Sequence, residues 1–242
     1  MNSVVSEKKF IQERLGIPYE NLSQSYLRAE TLLTNLSTYQ FFLQRGQVAS
    51  PLVTENLLEL NDQFVITQFR VSLRTITATV AGTPSATEQL SAQQYLYADP
   101  IAFTSTAANA GAIYGGNLSF TIDRKQFLPA FPMNAFYRVP ATQTNANLQG
   151  TASSPNFATT PNRGVNSYEN GLFGFYVSEP TLIDGRQTID ISLNLGAAVS
   201  IATAGSNPVI YATFETRGVV ISWLTPSRKR SPEKQSMLIY CI

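Results

Sequence analysis

The sequence predicts an all-β, antiparallel sandwich, and three observations carry that expectation. Apolar residues alternate with polar ones at a period of two through the middle of the chain, β-branched and aromatic residues dominate those runs, and Gly, Pro, Asn and Ser punctuate them. No helical pattern of about 10–15 residues separates one run from the next, so βαβ crossovers and a parallel sheet are not expected.

The one helical pattern lies at the start. Between Ser6 and Leu15, Phe10, Ile11 and Leu15 recur at helical spacing among Glu7, Lys8, Lys9, Glu13 and Arg14, and Gly16 and Pro18 close the segment. A helix this short is not stable alone, so its apolar face must dock, either on its own body or on a neighbouring subunit. Phe10, Ile11 and Leu15 are therefore the candidate subunit-contact residues of an N-terminal helical arm spanning residues 1–25.

From Tyr26 the period changes to two. The clearest run is Phe64 to Val80, in which Phe69, Val71 and Leu73 face one way and Arg70, Ser72 and Arg74 the other, as in a half-buried strand. Leu118, Phe120 and Ile122 alternate with Ser119, Thr121 and Asp123. Ile189, Ile191, Leu193 and Leu195 do so with Asp190, Ser192 and Asn194. Weaker strands are expected at Tyr39 to Gln44, Phe136 to Val139, Leu172 to Val177 and Val209 to Glu215. Gly218 to Leu224 is apolar throughout and reads as buried on both faces.

About eight antiparallel strands with two long connections, Ala81 to Gly116 and Ala141 to Asn170, suit a jelly roll, whose excursions leave from the ends of the sandwich. The β domain then covers residues 26–225. No Cys…Trp…Cys pattern supports an immunoglobulin-like sandwich, and no fixed-period repeat supports a propeller or solenoid.

Composition narrows the function classes. The 242 residues are 43% hydrophobic and 14% charged, and a formal net charge of +1 provides no global field toward nucleic acid or an anionic membrane. Ser, Thr, Asn and Gln supply the missing polarity, so copies could meet without desolvating many ions, although extracellular β proteins share this texture. No run of about 18 apolar residues predicts a transmembrane segment, and the opening residues do not resemble a secretory leader, so synthesis in the cytoplasm is expected.

With Cys241 as the single cysteine and no histidine, neither an intrachain disulfide nor a structural zinc site is expected, and histidine-dependent catalysis is excluded. The stretches Gly111 to Gly116 and Gly171 to Gly174 match no phosphate-binding motif, so no cofactor is expected. Glu169, Glu179, Asp184 and Glu215 are the carboxylates near strand ends from which a glycosidase pair could be drawn, but scattered acids read as solvated loops, and no enzyme is expected.

The aromatics Tyr95, Tyr97, Phe103, Phe127, Phe131, Phe136 and Tyr137 read as core with a lid, the other readings being sugar stacking and subunit anchoring. Arg228, Lys229 and Arg230, with Lys234 beyond them, form the one dense basic run, in a C-terminal tail over residues 226–242. Such a run either stays solvated or neutralises phosphates of a packaged nucleic acid without reading sequence.

Three stretches, Asn61-Asp-Gln-Phe-Val-Ile-Thr67, Gly116-Asn-Leu-Ser-Phe-Thr-Ile-Asp123, and Phe131-Pro-Met followed by Arg138-Val-Pro-Ala-Thr-Gln143, resemble jelly-roll virion structural proteins of bacteriophages, capsid proteins in particular. The likeness spans residues 26–225. It implies a protein of the virion that tiles a shell with copies of itself and other virion proteins, reaches neighbours through a terminal arm and carries no catalytic site. The other class that fits the composition is a carbohydrate- or receptor-binding β-sandwich, such as a phage spike or cell-surface adhesin.

Overall fold

The computed structural model describes residues 4–80, 83–97, 107–138, 175–201 and 209–221. Nine strands form two antiparallel sheets among them, the all-β sandwich the pattern predicts. One sheet contains β1 (Leu22–Leu32), β9 (Val209–Ile221), β3 (Gln63–Ile76), the short β4 (Gln93–Tyr95) and β7 (Tyr176–Asp184). In it β9 lies between β1 and β3, and the far side of β3 carries both β4 and β7. The second sheet runs β2 (Thr38–Phe41), β8 (Ile189–Asn194), β5 (Asn117–Ile122), β6 (Lys125–Pro132).

The inner faces meet in one core. Leu27, Ala29, Phe64, Phe69, Val71, Leu73, Ala212 and Phe214 of the first sheet pack on Tyr39, Phe41, Leu118, Phe120, Ile191 and Leu193 of the second. The Phe214 ring bridges the layers, 5.7 Å from Phe41 and 6.3 Å from Phe120. This interdigitation of alternate side chains is what the period of two encodes.

The outer face of the first sheet is covered as well, and that departs from the half-buried strand expected at Phe64 to Val80. Helix α1 (Val4–Leu15) and Ile17 close one end, where Ile11, Ile17 and Leu22 pack on Val65, Val219 and Ile221. Gly16 ends the helix at φ +67°, a conformation glycine adopts without a Cβ penalty, and its N–H donates to the Gln12 carbonyl. At the other end Ile76, Ala78, Val209 and Tyr211 lie beneath Leu52 and Ala92.

Burial on both faces explains β1. Leu22 faces outward into the α1 cluster and Leu27 inward into the main core, so apolar residues change parity along one strand and the alternation vanishes. The strand accordingly begins inside the segment assigned to the arm, at Leu22.

Other elements also differ from expectation. The chain from Val209 to Ile221 is one strand with Gly218 inside it, because a Cβ there would run into the Val65 carbonyl of β3. Residues 133–136 form a 3-10 turn in place of the strand expected from Phe136. The strand expected at Leu172 to Val177 is instead β7, from Tyr176 to Asp184, while residues 172–174 lie outside the described residues. The connection from Ala81 to Gly116 contains, in its described part, β4 and the short helices α2 (Ala86–Ser91) and α3 (Ala107–Gly111). The connection from Ala141 to Asn170 and the C-terminal tail lie outside the described residues.

Candidate functional site

The sequence places Arg28 and Glu30 on β1, Arg70, Ser72 and Arg74 on β3, and Thr213, Glu215 and Arg217 on β9, each at every second position. Strand register aligns them. Arg28, Glu215 and Arg70 stand opposite one another across the three strands, and Glu30, Thr213 and Ser72 form the next row. The outer face of the sheet therefore carries a lattice of alternating charge between two apolar patches.

Each carboxylate in that lattice has cations at hydrogen-bond distance. Glu30, whose side chain is fully buried, accepts from Arg74 Nη1 at 2.8 and 2.7 Å, from Arg28 Nε at 2.9 Å and from the Thr54 hydroxyl at 2.8 Å. Glu215 Oε2 accepts from Arg70 Nη2 at 2.9 Å, and Gln94 of β4 joins them, its Nε2 donating to Ser72 Oγ at 2.5 Å. The Phe175 ring lies against both Arg70 and Arg217, with guanidinium carbons 4.4 and 4.1 Å from its centroid. Taking ions out of water is expensive, and only this density of opposite charges and donors offsets it.

Titration behaviour follows from burial. Desolvation pulls the Arg70 guanidinium below its ordinary value and Glu215 pushes it back. Glu55 sits on the loop that covers the lattice, and its carboxylate accepts from the backbone N–H groups of Glu30 and Leu52, both at 2.8 Å. Burial raises its pKa more than these bonds lower it. The loop is held further by Asn56, which exchanges backbone hydrogen bonds with Arg28.

Of the acids considered for hydrolysis, Asp184 and Glu215 are held apart by this architecture. Glu215 is ion-paired in the lattice. Asp184, half-buried at the end of β7, accepts from Gln63 Nε2 at 3.0 Å and from the Arg186 N–H at 2.9 Å, which together hold its pKa below the ordinary range. Asp184 lies level with Ile221 through Gln63, and six residues of strand separate Ile221 from Glu215, a span of roughly 20 Å and too far for a glycosidase pair. Glu179 is exposed on β7, and Glu169 lies outside the described residues. Among the described residues no three His, Cys, Asp or Glu side chains gather where they could hold a metal.

A second feature lies beside α1. Pairing between β3 and β7 shifts between Ile66 and Gln68, so that Ser178, Glu179 and Pro180 stand out of the ladder. With Phe10, Arg14 and Leu15 of α1 they line an open cleft of about 490 Å³. The three candidate arm residues thus separate. Ile11 is fully buried within its own protomer and is not open to a neighbour, whereas Phe10 and Leu15 remain 43% and 37% exposed. Of these three, Ile11 docks the helix on its own body, and Phe10 and Leu15 face outward.

Of the candidate aromatics, Tyr95 and Phe136 belong to the main core, with Phe127 and Phe131 packed against it. Tyr137 is exposed, its ring edge-on to Tyr114 at 5.2 Å. Phe103 and the basic residues Arg228, Lys229, Arg230 and Lys234 lie outside the described residues. Within β3 alone, Arg70 and Arg74 have the pattern of a solvated face, and the lattice exists only across strands. Opposite charges recurring at every second position on three strands were the available signal.

Comparison of the chain with protein-family models, with curated proteins and with solved structures finds no match. No helix among the described residues is long and apolar enough to cross a membrane.

Proposed function

We propose that this chain is a jelly-roll virion structural protein, a bacteriophage capsid protein that tiles a shell through contacts between copies. The nested order of its ladders carries the reading. With the three-residue β4 set aside, the first strand pairs with the last (β1 with β9), the second with the next to last (β2 with β8), the third with β7, and the central two (β5 and β6) with each other. That is one long antiparallel ribbon. Folding it over and joining β9 to β3 and β8 to β5 makes two four-stranded sheets of the jelly-roll type.

A fold does not by itself give a function. The step to a shell rests on the hydroxyl- and amide-rich sequence, on the helix that leaves Phe10 and Leu15 exposed, and on the basic run over residues 228–230. In this reading the charge lattice is structural, locking the covering loop and β4 onto the sheet, and the protein works by contact in place of turnover. It is made in the host cytoplasm and incorporated into the virion, where it meets other virion proteins.

Light scattering on the purified protein over a concentration series tests this, with a glycan and ester panel alongside. Growth into particles of many copies, with no turnover on the panel, is expected. A small fixed oligomer that binds a glycan would favour the spike or adhesin class instead, with exposed Tyr137 and Tyr176 as stacking surfaces. Turnover abolished by Glu179→Gln would overturn the reading.

A further inference from the structure

The cleft between α1 and β7 combines features that a monomer leaves unused. Phe10, Leu15 and Pro180 give it apolar walls, and Arg14 and Glu179 place one cation and one anion at its rim. Arg14 stacks its guanidinium 5.6 Å from the Phe10 ring. Neither Arg14 nor Glu179 makes an ion pair among the described residues, although every carboxylate of the nearby lattice is held by several partners. The Ser178 hydroxyl in the same wall is buried with no hydrogen-bond partner among the described residues.

We propose that this cleft is a two-fold contact between copies of the chain, in which Arg14 of each protomer pairs with Glu179 of the other. It rests on the assembly reading above and names a surface for it. Two opposite charges on one small surface are self-complementary, because a two-fold rotation sets each against its opposite while bringing Phe10 and Leu15 of both copies together. Extension of the sheet through β7 is disfavoured, since Pro180 lacks an N–H and the residues around it stand out of the ladder. The contact is therefore made by side chains.

Charge exchange between two chains tests it. Arg14→Glu and Glu179→Arg are both exposed substitutions, so each variant keeps the circular dichroism of the wild-type chain. Each alone sets like charges together and should weaken self-association at least tenfold, by about 1.4 kcal/mol or more. Mixed in equal amounts, the two variants pair Glu with Arg at both ends of the contact, and association should return to within about threefold of wild type. Sedimentation velocity with one variant fluorescently labelled reads both effects.

Single variants that associate like wild type, or a mixture no better than its components, would overturn this contact while leaving the shell reading intact. A wild-type chain that stays monomeric at every concentration would overturn both.

Discussion

At the scale of single residues, the most consequential group is Glu30, a carboxylate sealed inside the protein and held by Arg74, Arg28 and Thr54. Removing Arg74 takes away the nitrogen that contacts both oxygens of that carboxylate, so Arg74→Ala should cost about 3–5 kcal/mol in chemical denaturation. Arg74→Ala combined with Glu30→Ala should cost less than the sum of the single changes. Glu88 gives the clearest pH signature. Hydrogen bonds, first from the Thr79 hydroxyl and then from Ser85, hold its pKa at about 2. A depressed carboxylate contributes fully above its ordinary value near 4.5 and loses that contribution as pH falls through about 2. The Thr79 and Ser85 amide resonances should therefore titrate with a midpoint near 2, and Glu88→Gln should abolish the transition. Glu55 acts in the opposite sense. Its pKa is raised by burial, so what its protonation contributes is present below the ordinary value and lost as pH rises through the raised one.

Single elements carry strain and clearance that substitution can expose. The β5–β6 hairpin turns on two residues, Asp123 and Arg124, both with positive φ at 49° and 66°. That mirror-image turn matches the twist of the strands but disfavours side chains other than Asn, Asp and Gly. Arg124→Gly should raise stability by about 1 kcal/mol, read as a shift in denaturation midpoint. Gly218→Ala should lower it by about 2 kcal/mol or more, because the added methyl meets the β3 backbone and the Phe64 ring. Legibility also varied by element. β5 and β8 were readable because their Leu, Ile and Phe residues fall on one face, and β3 because Phe69, Val71 and Leu73 do, although Val65 and Ile76 face outward. β6 was not, since Pro129 and Pro132 read as turn signals yet are tolerated in an edge strand. The Ser85-Ala-Thr-Glu88 capping box that starts α2 is a helix signal too, but the helix it opens is only six residues long and has no apolar periodicity to mark it within the connection from Ala81 to Gly116.

For the whole molecule, the all-β sandwich was legible and its outer layer was not. Alternation reports one buried face, and a sheet covered on one side by the second sheet and on the other by α1, Leu52 and Ala92 erases that signal. The nested ladders were equally invisible, since register is set between strands far apart in sequence. Covering the sheet also changes what truncation would test. Deleting residues 1–16 uncovers Val65, Val219 and Ile221, so loss of assembly would be confounded with loss of stability, and the exposed α1 side chains are the better targets. Within an assembled shell, Arg228, Lys229 and Arg230 are proposed to face nucleic acid. Replacing all three by Ser should reduce its retention and flatten the salt slope, which scales by roughly 0.9 per phosphate contacted. Unchanged retention would leave the run a solvated tail. Self-assembly is the central claim, and electron microscopy of the purified chain with a count of copies per particle tests it most directly. Closed shells of uniform diameter holding many copies are predicted; a homogeneous population of the single 26.5 kDa chain under all assembly conditions would contradict it.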